Sequence, residues 1–289
     1  MDVSIIFVNY NTISLLVNAI DSVLEKTIGV KFEIIVVDNA SKDNSEIILA
    51  NKYQGKVIYI LLPENIGFGR ANNEGVKIAK GRNVLLLNPD TLLENNAIKI
   101  LSDYLDFKSD LAAVGGNLYY EDGTNQPSFS LSYPSLRTNI LNLILPNRGI
   151  YFNNSINPKE VKTIFGAAIM IKKEVFNIVG GFNPLFFMYA EEDELCFRIR
   201  KKGYKLMNVP LAKITHLEGK SFQFSEQRLL RRLVGLRTLY KVSYSPTYNT
   251  LIRFVEYLII ITRLLIFKLL NNKDKVQYWK FMYHNRKWS

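Results

Sequence analysis

The segment Val84-Leu85-Leu86-Leu87-Asn88-Pro89-Asp90 decides the class of fold. Four consecutive apolar residues are typical of a strand that is buried on both faces. The run ends at an Asn-Pro-Asp corner, and an Asn-Pro pair favours a turn. We therefore expect Asp90 to lie at the carboxyl end of a buried strand.

Three further apolar runs precede this segment, and polar residues follow each of them. The runs are residues 4–8, 33–38 and 57–61, and the polar groups are Asn9-Tyr10-Asn11, Asp38-Asn39 and Asn65. Apolar residues at helical spacing lie between the runs. Alternating strands and helices predict an α/β fold with a mostly parallel sheet and helices on both faces. Ligands bind beyond the carboxyl ends of such strands, where the four polar groups meet.

The pattern changes in the second half of the chain. Residues 121–160 have little periodicity and predict a long irregular segment, which is usually functional or mobile. Residues 162–171 then predict one strand, and residues 173–179 a short helix. Residues 192–202 predict a helix whose acidic start and basic end match the helix dipole, with Gly203 placed to end it.

The net charge of +11 lies entirely in the last quarter of the chain. Residues 1–219 hold 23 basic and 23 acidic side chains, whereas residues 220–289 hold 14 and 3. Such a tail predicts contact with an anionic surface, with a solvated basic face as the alternative. No fold signature of nucleic-acid binding accompanies the charge. We therefore predict a basic helical extension, residues 223–289, that binds an anionic membrane.

The apolar stretch 251–270 must be tested as a membrane span, because it is 20 residues long. Four charged residues interrupt it, namely Arg253, Glu256, Arg263 and Lys268. On a helix they share a sector of about 140°. Arg263 near the centre of a span would cost about 2.5–3.5 kcal/mol. We predict an amphipathic helix that lies on the membrane, with a helix packed against protein and a true span as the alternatives.

Four groups of residues could carry chemistry. Asp90 is a metal-ligand candidate, since carboxylates bind Mg²⁺ or Mn²⁺, although it could instead cap a helix. Asp38 could bind a ribose or only form a turn. Glu191 and Glu192 begin a helix and could supply a general base or merely match its dipole. His216 could be a metal ligand, a nucleotide contact or a core histidine.

Two nucleotide-using classes of enzyme fit the sequence poorly. A dehydrogenase needs a G-x-G-x-x-G motif after the first strand, where this chain has Asn9-Tyr10-Asn11-Thr12. A nucleotidyltransferase would need a basic, glycine-rich loop at the same place. The lone Cys196 fits a reducing compartment, and the first apolar run is too short for an export signal. The sequence thus predicts a cytoplasmic protein on the inner face of the cell membrane.

Residues 3–222 resemble glycosyltransferase family 2, the inverting enzymes with the GT-A fold, and within it the rhamnosyltransferase-like branch of bacterial polysaccharide synthesis. The similarity is carried by ordered blocks: Val8-Asn9-Tyr10-Asn11, Val37-Asp38-Asn39-Ala40-Ser41-Lys42-Asp43, Asn65-Ile66-Gly67-Phe68-Gly69-Arg70-Ala71-Asn72-Asn73, Leu87-Asn88-Pro89-Asp90-Thr91, Gly166-Ala167-Ala168, Gly180-Gly181-Phe182, Met188-Tyr189-Ala190-Glu191-Glu192, and His216 with Gly219 and Ser221. The resemblance implies a catalytic domain over residues 1–222.

The resemblance also implies roles. Asp90 and His216 would bind Mg²⁺ or Mn²⁺, and Glu192, with Glu191 beside it, would be the general base. The nucleotide sugar would be held by Val8, Tyr10, Asn11, Asp38, Asn65, Gly67, Phe68, Asn72, Asn88 and Asp90. Two departures from the family pattern matter. Asn88 replaces the first acid of the D-x-D motif, and a shift of one residue would make Asp193 the base.

The predicted reaction is transfer of a sugar, rhamnose or a hexose, from a dTDP- or UDP-linked donor to a glycan or lipid-linked acceptor. The alternative is a non-catalytic, membrane-associated carbohydrate-binding protein on the same fold, since a fold does not guarantee activity. The sequence leaves open whether the chain forms a homo-oligomer.

Overall fold

Strands and helices alternate along the first half of the chain in the computed structural model, as predicted. The structure describes residues 1–144, 150–217 and 226–285. It comprises two units, the first formed by Met1–Ser132 and Gly149–Phe222 and the second by Tyr133–Arg148 and Gln223–Ser289. The second unit thus includes a segment from the middle of the chain in addition to the predicted C-terminal extension.

Four parallel strands form one half of the main sheet. In chain order, the elements are β1 (Val3–Asn9), α1 (Ile13–Lys26), β2 (Phe32–Asp38), α2 (Ser45–Tyr53), β3 (Val57–Leu61), α3 (Phe68–Ile78) and β4 (Asn83–Leu87). β1 pairs with β2 and β4, and β2 pairs with β3, all in parallel. Their carboxyl ends therefore share one edge, where the polar groups of the sequence lie.

Alternate residues of the central strands enter two separate apolar cores, one on each face of the sheet. In β4, Leu85 and Leu87 pack with Leu16 and Leu101 on one face, whereas Leu86 packs with other residues on the opposite face. Every residue of β1 and β4 is buried. Burial on both faces explains why these strands read as continuous apolar runs.

The other half of the sheet is mixed. The remaining elements of the first unit are β5 (Thr91–Leu93), α4 (Ala97–Phe107), β6 (Leu111–Tyr119), β7 (Asn125–Gln126), β8 (Phe129–Ser130), β9 (Ile150–Tyr151), β10 (Lys159–Val161), β11 (Thr163–Ile164), β12 (Ala168–Lys172), α6 (Lys173–Ile178), α7 (Glu191–Lys201) and β13 (Lys205–His216). β12 runs antiparallel to both β4 and β6, and β13 runs parallel to β6. In the described chain the order is β10-β13-β6-β12-β4-β1-β2-β3, with β5 on β13 and β7 on β6.

The prediction of one strand over residues 162–171 is wrong. Two strands occupy this segment, and they belong to different sheets: β11 pairs with β8, and β12 pairs with β4. Residues 165–167 leave the ladder because their backbone has other partners. Phe165 N donates to Ser128 O at 3.1 Å, and Ala167 O accepts from Asn88 N at 2.9 Å.

The described part of the second unit contains the helices α5 (Leu136–Ile144), α8 (Glu226–Ser243), α9 (Pro246–Leu269) and α10 (Lys273–His284). Hydrogen bonds link three of them. Asn139 Nδ2 donates to Tyr240 Oη at 3.3 Å, and Leu136 N donates to Tyr248 Oη at 3.2 Å. None of the helices that the structure describes combines the length and apolar character of a membrane span.

Candidate functional site

The short strand β5 brings Asp90 to His216. β5 pairs antiparallel with the end of β13, so that Thr91 lies opposite His216. The backbone continues this pairing, since Leu217 N donates to Asp90 O at 2.9 Å. As a result, Asp90 Oδ1 lies 3.4 Å from His216 Nε2. Asp90 is therefore not a helix cap, because a strand follows it and α4 begins only after its N-cap, Asn96.

Gln126 fixes the ring of His216. Its amide oxygen lies 3.0 Å from His216 Nδ1, and both side chains are buried. An amide oxygen only accepts hydrogen bonds, so Nδ1 carries the hydrogen, and in the neutral ring the lone pair would then be on Nε2, the nitrogen nearer Asp90. Metal-binding histidines are commonly oriented in this way by a second partner. Gln126 was not among the predicted site residues, because it lies in the segment without periodicity.

The Asn88 corner is anchored on two sides. Thr91 Oγ1 donates to Asn88 O at 2.7 Å, which closes the turn that carries Asp90. On the other side, Asn88 N donates to Ala167 O at 2.9 Å. Asn88 itself is half-buried. The corner is thus fixed to the connection between β11 and β12.

The same connection contacts Glu192. A Cβ atom built on Gly166 would lie 3.5 Å from Glu192 Oε1. Gly166 precedes Ala167, whose carbonyl accepts from the Asn88 corner. One short connection therefore contacts both the general-base candidate and the turn that carries Asp90.

Glu191 and Glu192 lie in different environments although they are adjacent. Glu191 is buried, whereas Glu192 is half-buried. Burial, followed by the charge on Glu192, raises the pKa of Glu191 well above its usual value. Among the residues that the structure describes, no donor reaches Glu191 Oε2. The buried carboxyl is thus favoured in its neutral form, and Glu192 is the better candidate for a charged base.

A strained turn orients the start of α7. Tyr189 and Ala190 both have left-handed backbones, with φ of 72° and 66°. Side chains other than glycine rarely adopt this conformation, and it is concentrated at functional sites. Sequence patterns did not predict it, because neither residue is a glycine or an asparagine.

Buried polar contacts hold α7 and α3 to the Gly180-Gly181-Phe182 turn. Arg198 forms a two-point ion pair with Glu194, with both contacts at 2.7 Å, and donates to Gly181 O at 2.6 Å. Asn73 Oδ1 accepts from Phe182 N at 2.8 Å, and Asn73 Nδ2 donates to Phe182 O at 2.9 Å. Arg198 was not among the predicted site residues, whereas Asn73 ends the family-like block 65–73.

The predicted nucleotide-binding residues at the ends of β1 and β2 differ in their exposure to solvent. Tyr10 and Asn11 are exposed, whereas Val8 and Asp38 are buried. Asp38 Oδ2 accepts from Asn9 Nδ2 at 2.9 Å, and Oδ1 accepts from Ser41 N at 2.7 Å. Asp38 thus joins the side chain of Asn9 to the backbone of Ser41. A direct contact between Asp38 and a nucleotide stays a prediction.

The predicted nucleotide-sugar-binding residues around Asn65 pack against the loop before α7. Asn65 Oδ1 accepts from Asn39 Nδ2 at 2.8 Å and from Gly67 N at 3.0 Å. Gly67 has φ of 89°, and a Cβ there would lie 2.2 Å from Phe187 O. Phe68 N donates to that same carbonyl at 3.0 Å. The structure therefore requires glycine at position 67.

Asn72 lies inside the protein. Its side chain is buried and its amide nitrogen donates to Phe68 O, one turn earlier in α3, at 3.1 Å. Its predicted role in binding the nucleotide sugar stays a prediction. Gly219 and Ser221, the last residues of the family-like blocks, lie outside the described residues.

Two family models match the chain. The model described as "Glycosyl transferase family 2" matches residues 4–179, which is more than half of the chain, and the model described as "N-terminal domain of galactosyltransferase" matches residues 149–220. The first model includes the Asn88 corner, and the second reaches past α7 to His216.

Curated relatives include two rhamnosyltransferases. The dTDP-rhamnosyl transferase RfbF of Shigella flexneri is 26% identical over 86% of this chain and 82% of its own length. The N-acetylglucosaminyl-diphospho-decaprenol L-rhamnosyltransferase of Mycobacterium tuberculosis is 26% identical over 65% of this chain and 67% of its own length. The chain spans only 25% and 16% of the length of two other curated relatives, from Sinorhizobium fredii and Bacillus subtilis.

Two solved structures share the fold. GalNAc-T7 with UDP, GalNAc and Mn²⁺ has a TM-score of 0.63 and 18% identity, over 85% of this chain and 48% of that chain. The mannosyltransferase PcManGT from Pyrobaculum calidifontis, in complex with GDP-Man and Mn²⁺, has a TM-score of 0.58 and 18% identity, over 90% and 70%. At this identity the likeness shows the fold alone, and it confirms the predicted GT-A fold.

Proposed function

The chain belongs to glycosyl transferase family 2, and we propose that it transfers one sugar, with inversion, from a nucleoside-diphosphate sugar to a glycan or lipid-linked acceptor. The observation that carries the proposal is the Asp90–His216 pair, with 3.4 Å between Oδ1 and Nε2 and with Gln126 bonded to the far ring nitrogen. A nitrogen and an oxygen ligand are thus presented together at the sheet edge where nucleotides bind in α/β folds.

These residues fit a divalent cation. Asp90 and His216 would hold it, and Asn88 could add its amide oxygen. No group of three or more His, Cys, Asp or Glu side chains in the described ranges could hold a metal, so the donor diphosphate and water would supply the other ligands. When bound, the cation would neutralise charge on the departing diphosphate. Imidazole suits transition metals and carboxylate suits Mg²⁺ and Mn²⁺, so the pair favours Mn²⁺.

Glu192 is the proposed base. Its carboxylate takes the proton from the acceptor hydroxyl, and the hydroxyl oxygen forms a bond to the anomeric carbon as the bond to the diphosphate oxygen breaks. A single displacement inverts the anomeric configuration. Glu191, kept neutral by burial and by its neighbour's charge, leaves Glu192 as the charged member of the pair. Asp193 remains the alternative base.

The names of two relatives support a proposal for the chemical classes of the sugar donor and the acceptor. One relative is named for dTDP-linked rhamnose and the other for N-acetylglucosaminyl-diphospho-decaprenol. We propose dTDP-rhamnose or a UDP-hexose as the donor and a lipid-linked glycan as the acceptor, in synthesis of a surface polysaccharide. Peripheral binding of the basic second unit to the cytoplasmic face of the membrane remains a prediction.

A donor screen tests the proposed function. Release of nucleoside diphosphate is measured with dTDP-rhamnose, UDP-hexoses and GDP-mannose, in the presence of Mn²⁺, Mg²⁺ or EDTA. We expect turnover of one donor, higher with Mn²⁺ than with Mg²⁺ and abolished by EDTA. Asp90→Ala and Glu192→Gln should abolish transfer while circular dichroism shows intact folding. Full activity in both variants would refute the assignment.

The non-catalytic alternative gives a different result. A carbohydrate-binding protein would show calorimetric binding of a sugar polymer but no binding of any nucleotide sugar. Calorimetry with donor and metal on the wild-type chain separates the two functions even when the acceptor is unknown.

A further inference from the structure

One face of α9 is exposed and apolar along most of its length. Phe254, Leu265 and Leu269 are 59%, 55% and 87% exposed. Together with Leu251 and Leu258, which are also exposed, they fall within an arc of about 60° on a helix of 3.6 residues per turn. They cover about 27 Å of the helix axis at 1.5 Å per residue. We call these five residues the outer face of α9.

The acidic member of the charged stripe lies on the other side of the helix. Glu256 projects roughly opposite the outer face and is partly buried. Arg237, Tyr240 of α8 and Asn139 of α5 favour the ionised form of its carboxyl and so oppose the effect of burial on its pKa. The acidic group of α9 is therefore held inside the second unit, whereas the outer face is exposed among the residues that the structure describes.

We propose that the outer face of α9 inserts into the boundary between headgroups and acyl chains of an anionic bilayer, with the helix in the plane of the membrane. An apolar helical stripe of this kind, flanked by basic residues, is typical of interfacial helices. Lys268, Lys273 and Lys275 are exposed at the end of α9 and the start of α10. Their positive charges complement anionic headgroups.

Charge favours lipid over a second copy of the chain. Residues 220–289 carry 14 basic and 3 acidic side chains. Two copies that met through their outer faces would bring two strongly basic units together, and like charges repel. An anionic bilayer instead attracts the same charges while it covers the apolar residues.

The inference deepens the membrane-binding part of the proposed function, and it rests on that part alone. It would hold the chain at the surface where a lipid-linked acceptor presents its glycan. Sugar transfer to a water-soluble acceptor does not require it. Failure of the membrane inference and failure of the proposed function are therefore measured separately.

Vesicle flotation of the full chain tests the inference. Vesicles of phosphatidylcholine alone are compared with vesicles that also contain phosphatidylglycerol. We expect binding to the anionic vesicles, and Leu258→Asp or Leu265→Asp should each weaken it at least about tenfold, because burial of a leucine is lost and a like charge meets the headgroups. Phe107→Asp is the matched control, since Phe107 is 82% exposed on α4 in the first unit.

A fluorescent probe reports the contact directly. Cys196 is buried, and burial raises the pKa of its thiol to about 12, so a new surface cysteine can be labelled alone. Leu258→Cys, labelled with an environment-sensitive dye, should show a blue-shifted emission when anionic vesicles are added.

Each outcome decides the inference. Loss of flotation in the two leucine variants, with donor turnover in solution unchanged, supports it. Flotation equal to that of the wild type in both variants overturns it, as does an unshifted dye spectrum. A wild-type dimer in sedimentation velocity that these variants dissociate, with no flotation by the wild type, would assign the outer face to a second copy. Glu192→Gln should float like the wild type whether or not it is the base.

Discussion

Replacement of Gln126 by methionine removes the amide that fixes His216 and keeps a side chain of similar length. The amide oxygen accepts from His216 Nδ1 at 3.0 Å, and Asp90 Oδ1 lies 3.4 Å from the opposite ring nitrogen. Without the acceptor, the neutral ring can carry its hydrogen on Nε2, where it would point at the proposed metal. Loss of such an orienting partner usually costs about 10–100-fold in metal affinity, or about 1.4–2.7 kcal/mol.

The assay is the Mn²⁺ dependence of nucleoside diphosphate release, with calorimetric titration of Mn²⁺ into the protein and nucleoside diphosphate as a second readout. Gln126→Met should raise the Mn²⁺ concentration for half-maximal activity about 10–100-fold. Gln126→Glu should restore it, because a carboxylate also accepts from Nδ1–H. Gln277→Met, at an exposed position of α10, is the control. An unchanged Mn²⁺ dependence in folded Gln126→Met would refute the role of Gln126 in orienting His216.

Three further predictions concern other carboxylates and their partners. Glu192→Gln should lower sugar transfer at least about 100-fold, the lower limit for loss of a general base, whereas Glu191→Gln should retain most activity because its carboxyl is already favoured as the neutral acid. Arg198→Met leaves a buried carboxylate without its partner and should lower the free energy of unfolding by about 3–5 kcal/mol in urea denaturation, with Arg232→Met at an exposed position as control. Burial raises the pKa of Glu256 to about 7 from 4.5. The folded second unit therefore binds this proton more tightly than the unfolded chain, and up to about 3 kcal/mol of stability, complete below pH 4.5, is lost as the pH rises through about 7.

These predictions have clear contrary outcomes. Equal losses of activity in Glu191→Gln and Glu192→Gln would mean that both carboxylates act in their charged forms. An Arg198→Met variant as stable as Arg232→Met would show that the ion pair contributes no net stability. A Glu256→Gln variant whose stability falls with pH as steeply as that of the wild type would assign the pH dependence to another group.

The parallel half of the sheet could be predicted from sequence because burial on both faces leaves an unmistakable apolar run. The predicted ends of β1, β2 and β4 agree with the structure to within two residues. Residues 162–171 misled the prediction for the same reason. An apolar run indicates that a segment is buried, but it does not indicate which strand that segment pairs with. Here β11 and β12 belong to different sheets.

The site could be predicted only in part. Family-like blocks selected Asp90, His216 and Glu192, but no local pattern could place Asp90 beside His216, because that contact depends on the three-residue strand β5. Gln126 and the left-handed Tyr189 were missed for a related reason. Their roles depend on contacts that form only when distant segments meet, and neither residue type signals such a role by itself.

The prediction of an amphipathic helix over residues 251–270 did not show which side of α9 packs against protein. The sequence predicted an amphipathic helix with one charged stripe that lies on the membrane. In the structure Tyr240 of α8 and Asn139 of α5 instead act on the half-buried carboxyl of Glu256. Arg253 and Lys268 of the same stripe stay exposed. Burial of polar groups against protein partners satisfies them without water. The apolar side is then left for lipid, so the membrane prediction follows more directly from the packing of the helix than from its charges.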